Sequence, residues 1–106
     1  MNNTDKDLFN STKNGSSADI LKLLKAGADI NTRDEHGNTP IFYAVTPFGG
    51  DLNLVKFFVE HGADVNVKNK VGENLLAYGS KYVSSALENN MLSSIGDYLR
   101  THGYKY

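Results

Sequence analysis

Gly27-Ala28-Asp29-Ile30-Asn31 returns 35 residues later as Gly62-Ala63-Asp64-Val65-Asn66, and a single apolar position separates the two copies. The correspondence continues past the pentapeptide: Asp34 is matched by Asn69, Gly37 by Gly72, Thr39 by Asn74 and Ile41 by Leu76. A fixed period of this length marks a repeat architecture, in which one supersecondary unit is stacked on its neighbours because it cannot bury its apolar face alone.

Working outward from the pentapeptides, Leu21, Leu23 and Leu24 precede Gly27, and Leu54, Val55, Phe57, Phe58 and Val59 precede Gly62. These apolar sets predict short helices covered on more than one side, with Leu23 and Phe58 at equivalent buried positions. Gly27 and Gly62 suit the left-handed position just past a helix C-terminus, with Lys25 and His61 opposing the negative end of the helix dipole. Gly103, preceded by Arg100 and His102, repeats that ending. Ser16 and Asp51 are N-cap candidates for the helices that end at Gly27 and Gly62, and Thr39-Pro40 reads as an N-cap followed by proline at the first helical position. Between helices, Ala28 to Asn38 and Ala63 to Glu73 carry turn chemistry without a helical stripe, which predicts protruding hairpin-like loops.

The unit is thus helix, turn, helix, loop, and its stretch Gly37-Asn38-Thr39-Pro40-Ile41-Phe42-Tyr43-Ala44 resembles the ankyrin signature G-x-T-P-L-H-x-A, completed by Gly-Ala-Asp-Val-Asn. The resemblance implies an all-α ankyrin-repeat solenoid of about three helix-turn-helix repeats with atypical terminal units. It divides one domain, residues 1–106, into an N-terminal capping repeat at 5–32, a full repeat at 33–67 and a divergent C-terminal repeat at 68–106. The departures are specific. Phe9, Phe42 and Ala77 stand where the signature has histidine, so apolar packing is expected to replace hydrogen bonds between repeats. Two extra residues lengthen the turn at Thr46-Pro47-Phe48-Gly49-Gly50. Gly72 to Gly103 spans 31 residues where Gly37 to Gly62 spans 25, which predicts longer helices at 75–88 and 92–101.

Composition narrows the function. With 40% hydrophobic and 22% charged residues, the 106-residue chain is sized for one cooperative core. Its 11 Lys and Arg against 12 Asp and Glu leave a net charge of -1, no field to draw in nucleic acid or an anionic membrane. Cysteine is absent, which removes disulfides, thiolate metal sites and cysteine nucleophiles. The polar, acidic start from Met1 to Asp7 lacks the pattern of a secretory signal, so a cytoplasmic protein is expected. It reads as a complete small protein, with a fragment of a longer array as the alternative.

No metal, cofactor or catalytic group is expected. His36, His61 and His102 each precede a glycine, in positions that the repeat geometry keeps apart, and the last two read as surface cations at helix ends. Asp5 with Asp7 and Asp34 with Glu35 read as solvated charge without an apolar pocket to shift a pKa. The serine pairs at 16–17, 84–85 and 93–94 read as caps or solvent-facing groups. Gly49-Gly50 lacks the lysine and hydroxyl residue of a phosphate loop.

The resemblance implies that a partner protein is bound through the hairpin tips and the exposed side of each first helix. Carried over, it nominates Glu35, His36 and Asn38 in one loop, Lys70, Val71 and Glu73 in the next, and Thr46, Lys81 and Tyr82 near the first-helix surface. Phe48 joins them on its own chemistry, as an aromatic flanked by proline and two glycines that is hard to bury within the repeat. Tyr98, Tyr104 and Tyr106 form an alternative patch. The expected function is a non-catalytic binding module, monomeric when free, serving as an inhibitor or toxin-neutralising immunity protein. An enzyme, a host-directed effector or a scaffold cut from a longer array is the alternative.

Overall fold

Helices α1 (Asn3–Lys13), α2 (Ser17–Lys25), α3 (Pro40–Ala44), α4 (Leu52–Glu60), α5 (Leu75–Ser80) and α6 (Ala86–Arg100) follow one another in the computed structural model, which describes residues 2–46 and 51–106. Among the described residues there is no strand. The helices pack in consecutive pairs, α1 on α2, α3 on α4 and α5 on α6. Across the pairs, α1, α3 and α5 form one row, and α4 packs on α6 in the second. The chain is therefore an all-helical stack of three helix pairs.

Local chemistry sets most helix ends. The Ser16 hydroxyl accepts the Asp19 amide at 3.4 Å, Asp51 accepts Leu54 N–H at 2.8 Å, and Asn74 accepts Ala77 N–H at 2.9 Å. At the other ends, Gly27, Gly62 and Gly103 have φ of 98°, 91° and 97°. The residue after each glycine donates its N–H back to the carbonyl of Leu23, Phe58 and Leu99 respectively, at 3.0 Å in each case. That bond requires a left-handed residue at the turn, where glycine has no Cβ to strain.

Thr39 departs from expectation. It precedes α3, but its hydroxyl makes no capping bond and finds no hydrogen-bond partner among the described residues. Phe42, filling the signature histidine position beside it, has no polar atom to offer. Instead Phe42 is fully buried and meets the Tyr78 ring edge-to-face at 5.4 Å, and Phe9 meets Tyr43 likewise at 5.7 Å. Packing thus replaces hydrogen bonding at those two positions. The third equivalent residue, Ala77, is exposed and replaces nothing.

The core contains Leu8, Ile20, Ile41, Val45, Val55, Phe58, Leu75, Ile95 and Leu99. Leu23 and Phe58 hold equivalent places in the repeat but not the equal burial expected: Phe58 is fully buried, whereas Leu23 is half-buried. Phe58 lies on α4, which has α3 and α6 against it, while α2 packs on α1 at the edge of the stack. The expected helices 75–88 and 92–101 are also corrected. α5 ends at Ser80 and α6 begins at Ala86, because Ser85 accepts Glu88 N–H at 3.2 Å while the Glu88 carboxylate accepts the Ser84 amide and hydroxyl, both at 2.8 Å. This reciprocal capping starts a helix where the length argument ran one through.

Asparagines tie the repeats together. Asn31 donates to the Gly62 carbonyl at 3.3 Å and accepts the Asp64 amide at 2.9 Å. Asn66 repeats the pattern on the last unit, donating to Gly103 and accepting from Lys105, both at 2.9 Å. Asn66→Ala removes two such bonds and should lower stability by about 1–2 kcal/mol. Faster hydrogen exchange at the Lys105 amide should accompany the lower melting temperature, and unchanged exchange there would show that the bonds do not hold the terminus.

Candidate functional site

Two loops project from the stack, and the same side-chain device shapes each. Asp34 N–H donates to the Asn38 carbonyl at 2.9 Å, and Asn69 N–H to Glu73 at 3.1 Å. Inside the first loop the Asp34 carboxylate accepts the amides of His36 (2.9 Å) and Asn38 (3.0 Å). Inside the second the Asn69 side-chain oxygen accepts those of Val71 (3.2 Å) and Glu73 (2.9 Å). The match of Asp34 with Asn69 across the repeat thus has a cause: both supply an oxygen that satisfies the turn's own amides.

The loops also bond to each other. Lys70 N–H donates to the His36 carbonyl at 3.0 Å, Asn69 Nδ2 donates to Asn38 Oδ1 at 2.9 Å, and Arg33 reaches the Lys68 carbonyl at 3.0 Å. This close approach needs Gly37, where an added Cβ would sit 2.8 Å from Lys70 N. A polar chain continues inward. Asn38 donates to the Tyr43 hydroxyl at 3.3 Å, the Tyr43 hydroxyl donates to the Asp34 carboxylate, and Glu73 pairs with Lys81 at 3.0 Å.

Below the loops lies an aromatic floor contributed by the first-helix row and the turn after α5. Tyr43 and Tyr78 meet edge-to-face at 6.0 Å, as do Tyr78 and Tyr82 at 5.3 Å. Lysines lie over these rings, Lys13 at 4.8 Å from the Tyr43 centroid and Lys81 at 5.1 Å from that of Tyr78. A cavity of about 370 Å³ opens between the loop tips and α5, and a second of about 290 Å³ lies over the tyrosines. They share Tyr78 and Tyr82, so they form one groove.

Glu35, His36, Asn38, Lys70, Val71, Glu73, Lys81 and Tyr82 all line the larger cavity, and Thr46 lines the second. The nominated residues divide by exposure. Glu35, His36, Lys70 and Val71 stand exposed at the tips, Val71 at 78%. Asn38 and Thr46 are not the exposed contacts expected. Asn38 is buried in the inter-loop network, and Thr46 is buried with its hydroxyl donating to the Tyr43 carbonyl at 3.0 Å. Phe48 lies outside the described residues. Sequence reasoning missed Tyr43, Tyr78, Lys13 and Asn69. A signal for the tyrosines existed, since Tyr43 and Tyr78 are themselves separated by the 35-residue period.

The site's ionisation follows its burial. Desolvation, then the hydrogen bond to the Asp34 carboxylate, pushes the Tyr43 phenol from its ordinary 10.0 up to about 12. Hydrogen bonding from Asn69, then from Lys81, holds the Glu73 carboxyl below the usual range. Because the folded pKa of Tyr43 is raised, the stability it contributes is complete below pH 10 and is lost as pH climbs towards 12. Tyr43→Phe cannot ionise, so its melting temperature should fall less steeply than the parent's across that window. Parallel falls would contradict the assignment.

The histidines serve locally. His61 stacks on Phe57 at 4.2 Å and hydrogen-bonds its carbonyl at 2.7 Å; His102 does the same with Tyr98, at 4.0 and 2.8 Å. His36 pairs with Glu35 at 3.5 Å. Among the described residues no three His, Asp or Glu side chains gather to hold a metal ion, and no helix is long and apolar enough to cross a membrane.

Stacked helix pairs, loops bonded tip to tip and a side-chain-lined groove along one face define a helical-repeat binding scaffold. Comparison with known proteins agrees. A family model described as ankyrin repeats (3 copies) matches residues 8–95. An ankyrin repeat protein of fowlpox virus is 39% identical over 67% of this chain and 14% of its own length. An ankyrin repeat-containing protein of Schizosaccharomyces pombe is 36% identical over 72% of this chain and 36% of its own. The palmitoyltransferase AKR1 of Saccharomyces cerevisiae is 29% identical over 87% of this chain and 11% of its own length. The chain belongs to the ankyrin-repeat family, and its repeats mark it as a protein-interaction module. It spans about a third or less of the length of these relatives.

Proposed function

We propose that this chain is a non-catalytic binder that docks its loop tips and concave groove on one partner protein and acts by occupation, as a cytoplasmic inhibitor or toxin-neutralising immunity protein. The observation that carries the reading is the convergence of both loop tips on one cavity of about 370 Å³, floored by Tyr78 and Tyr82. Loop tips whose amides donate to the Asp34 and Asn69 side chains lose little freedom on binding, so more of the contact energy is available for affinity. Val71, an exposed apolar side chain at one tip, offers the kind of contact that is stabilised when a partner removes it from water.

Capture of a partner from the native cell, identified by mass spectrometry, provides the reagent for the test. Glu35→Ala, His36→Ala and Lys70→Ala combined should melt like the parent, yet bind at least tenfold more weakly, about 1.4 kcal/mol. Surface substitutions usually alter stability little, while a few interface residues carry most of the affinity. Adding Phe48→Ala extends the test to the lengthened turn. Undiminished affinity would exclude a loop-led site, and a partner whose activity is unaffected by saturating amounts of this protein would exclude inhibition.

A further inference from the structure

The smaller part of the groove has a chemistry of its own. Its described lining is Tyr43, Tyr78, Tyr82, Thr46 and Lys13, and Lys13 is the single formal charge among them. Three carboxylates lie around it: Asp34 accepts the Tyr43 hydroxyl and two loop amides, Glu73 is held by Lys81 and Asn69, and the exposed Glu35, which lines an adjoining cavity with Lys13 and Tyr43, faces His36 at 3.5 Å. Lys13, by contrast, has no ion pair to a carboxylate among the described residues. Its ammonium lies 4.8 Å from the Tyr43 centroid, at the edge of the tyrosine floor. The pocket is thus apolar at its base and positive at its rim.

We propose that this pocket receives an aromatic side chain of the partner with a carboxylate residue directly beside it, so that an acidic-aromatic segment is what the groove recognises. This rests on the concave-site reading above and adds the occupant's chemistry. A volume of about 290 Å³ lies just below the ~300–1,000 Å³ typical of pockets for whole small-molecule ligands, which suits a single side chain better than a larger ligand. The Tyr43 and Tyr78 rings meet at 85°, so the base of the pocket presents aromatic surface in two orientations to an inserted ring. A carboxylate next to that ring then faces the exposed Lys13, which has no carboxylate partner among the described residues, and the opposite charge favours it over a basic neighbour. A basic segment would place like charge against Lys13.

The test is an NMR titration of the whole chain, reading the ring signals of Tyr43, Tyr78 and Tyr82, with three blocked peptides. The first is acetyl-Gly-Asp-Phe-Asp-Gly-amide, the second carries Lys for both Asp, and the third carries Ala for Phe. The first should shift those rings and reach half-saturation at a concentration at least tenfold below the others. Lys13→Met should abolish the preference for Asp over Lys, and Lys13→Glu should reverse it, with unchanged melting curves showing that both variants are folded. Equal response to the acidic and basic peptides, a preference for the basic one, or insensitivity to loss of the Phe would overturn the inference. Shifts confined to Glu35, His36, Lys70 and Val71 would overturn it too, while leaving the loop-led reading standing. That reading fails by a separate measurement, undiminished capture of the partner by the loop variant.

Discussion

Phe58→Ala is expected to lower the unfolding free energy by about 3–5 kcal/mol, the range for removing a buried aromatic ring and leaving a cavity behind. For a domain of this size total stability is about 5–15 kcal/mol, so the variant should melt far below the parent or not fold at physiological temperature. The ring is fully buried on α4, a helix that packs on α3 of its own pair and on α6 of the next, so its loss is expected to weaken the centre of the stack. Leu23→Ala is the informative comparison because the two positions share a place in the repeat. Leu23 is half-buried, so its truncation should cost less, about 1–2 kcal/mol. Urea unfolding of both variants checks this. Equal losses would mean that the first helix pair is as enclosed as the second, contrary to the structure.

Gly37→Ala should have the second-largest effect, about 2–4 kcal/mol, by two mechanisms that a control separates. Its φ of +76° strains any residue with a Cβ, which costs about 1–2 kcal/mol. The new Cβ would also sit 2.8 Å from Lys70 N and 2.9 Å from Lys70 Cγ, and a backbone atom cannot swing aside as a side-chain end can. The Lys70-to-His36 hydrogen bond must then lengthen or break. Gly72 occupies the same position of the next loop, with φ +83° and nothing within 4 Å of the added Cβ. Gly72→Ala should therefore show the conformational cost alone. If the two variants lost equal stability, close approach of the loops would contribute nothing. If the loops do separate in Gly37→Ala, Lys70 amide exchange should quicken and partner affinity should fall with it, because the tips that line the larger cavity would no longer be held together.

The features legible in the chain are those whose causes lie within a few residues. Ser16 and Asp51 cap helices because an amide three positions on lies within reach of their side chains. Gly27, Gly62 and Gly103 end helices because a turn closed over five residues needs a left-handed glycine. The 35-residue period announced the stack for the same reason: each repeat carries its own copy of these local instructions. Where two neighbouring serines competed as interior residues or caps, spacing alone misplaced the boundary, and Ser84, Ser85 and Glu88 started α6 earlier than the length argument did.

What depended on neighbours more than 30 residues away could not be read from the pattern of one repeat. Leu23 and Phe58 occupy the same place in the repeat and differ in burial, because α4 is packed against both α3 and α6, whereas α2 packs on α1 at the edge of the stack. Asn38 looked like an exposed tip residue until Asn69, 31 positions on, closed over it. The aromatic floor lay between these cases: the spacing of Tyr43 and Tyr78 was visible, and Lys81 reaches Tyr78 within one turn, but that the two rings meet and that Lys13 lies over Tyr43 followed only from stacking the helices. Caps and turns are closed by short-range hydrogen bonds that any copy of the motif makes for itself. Burial and the shape of a groove are set by which surfaces the stack brings together, and in this protein tertiary packing alone decided them.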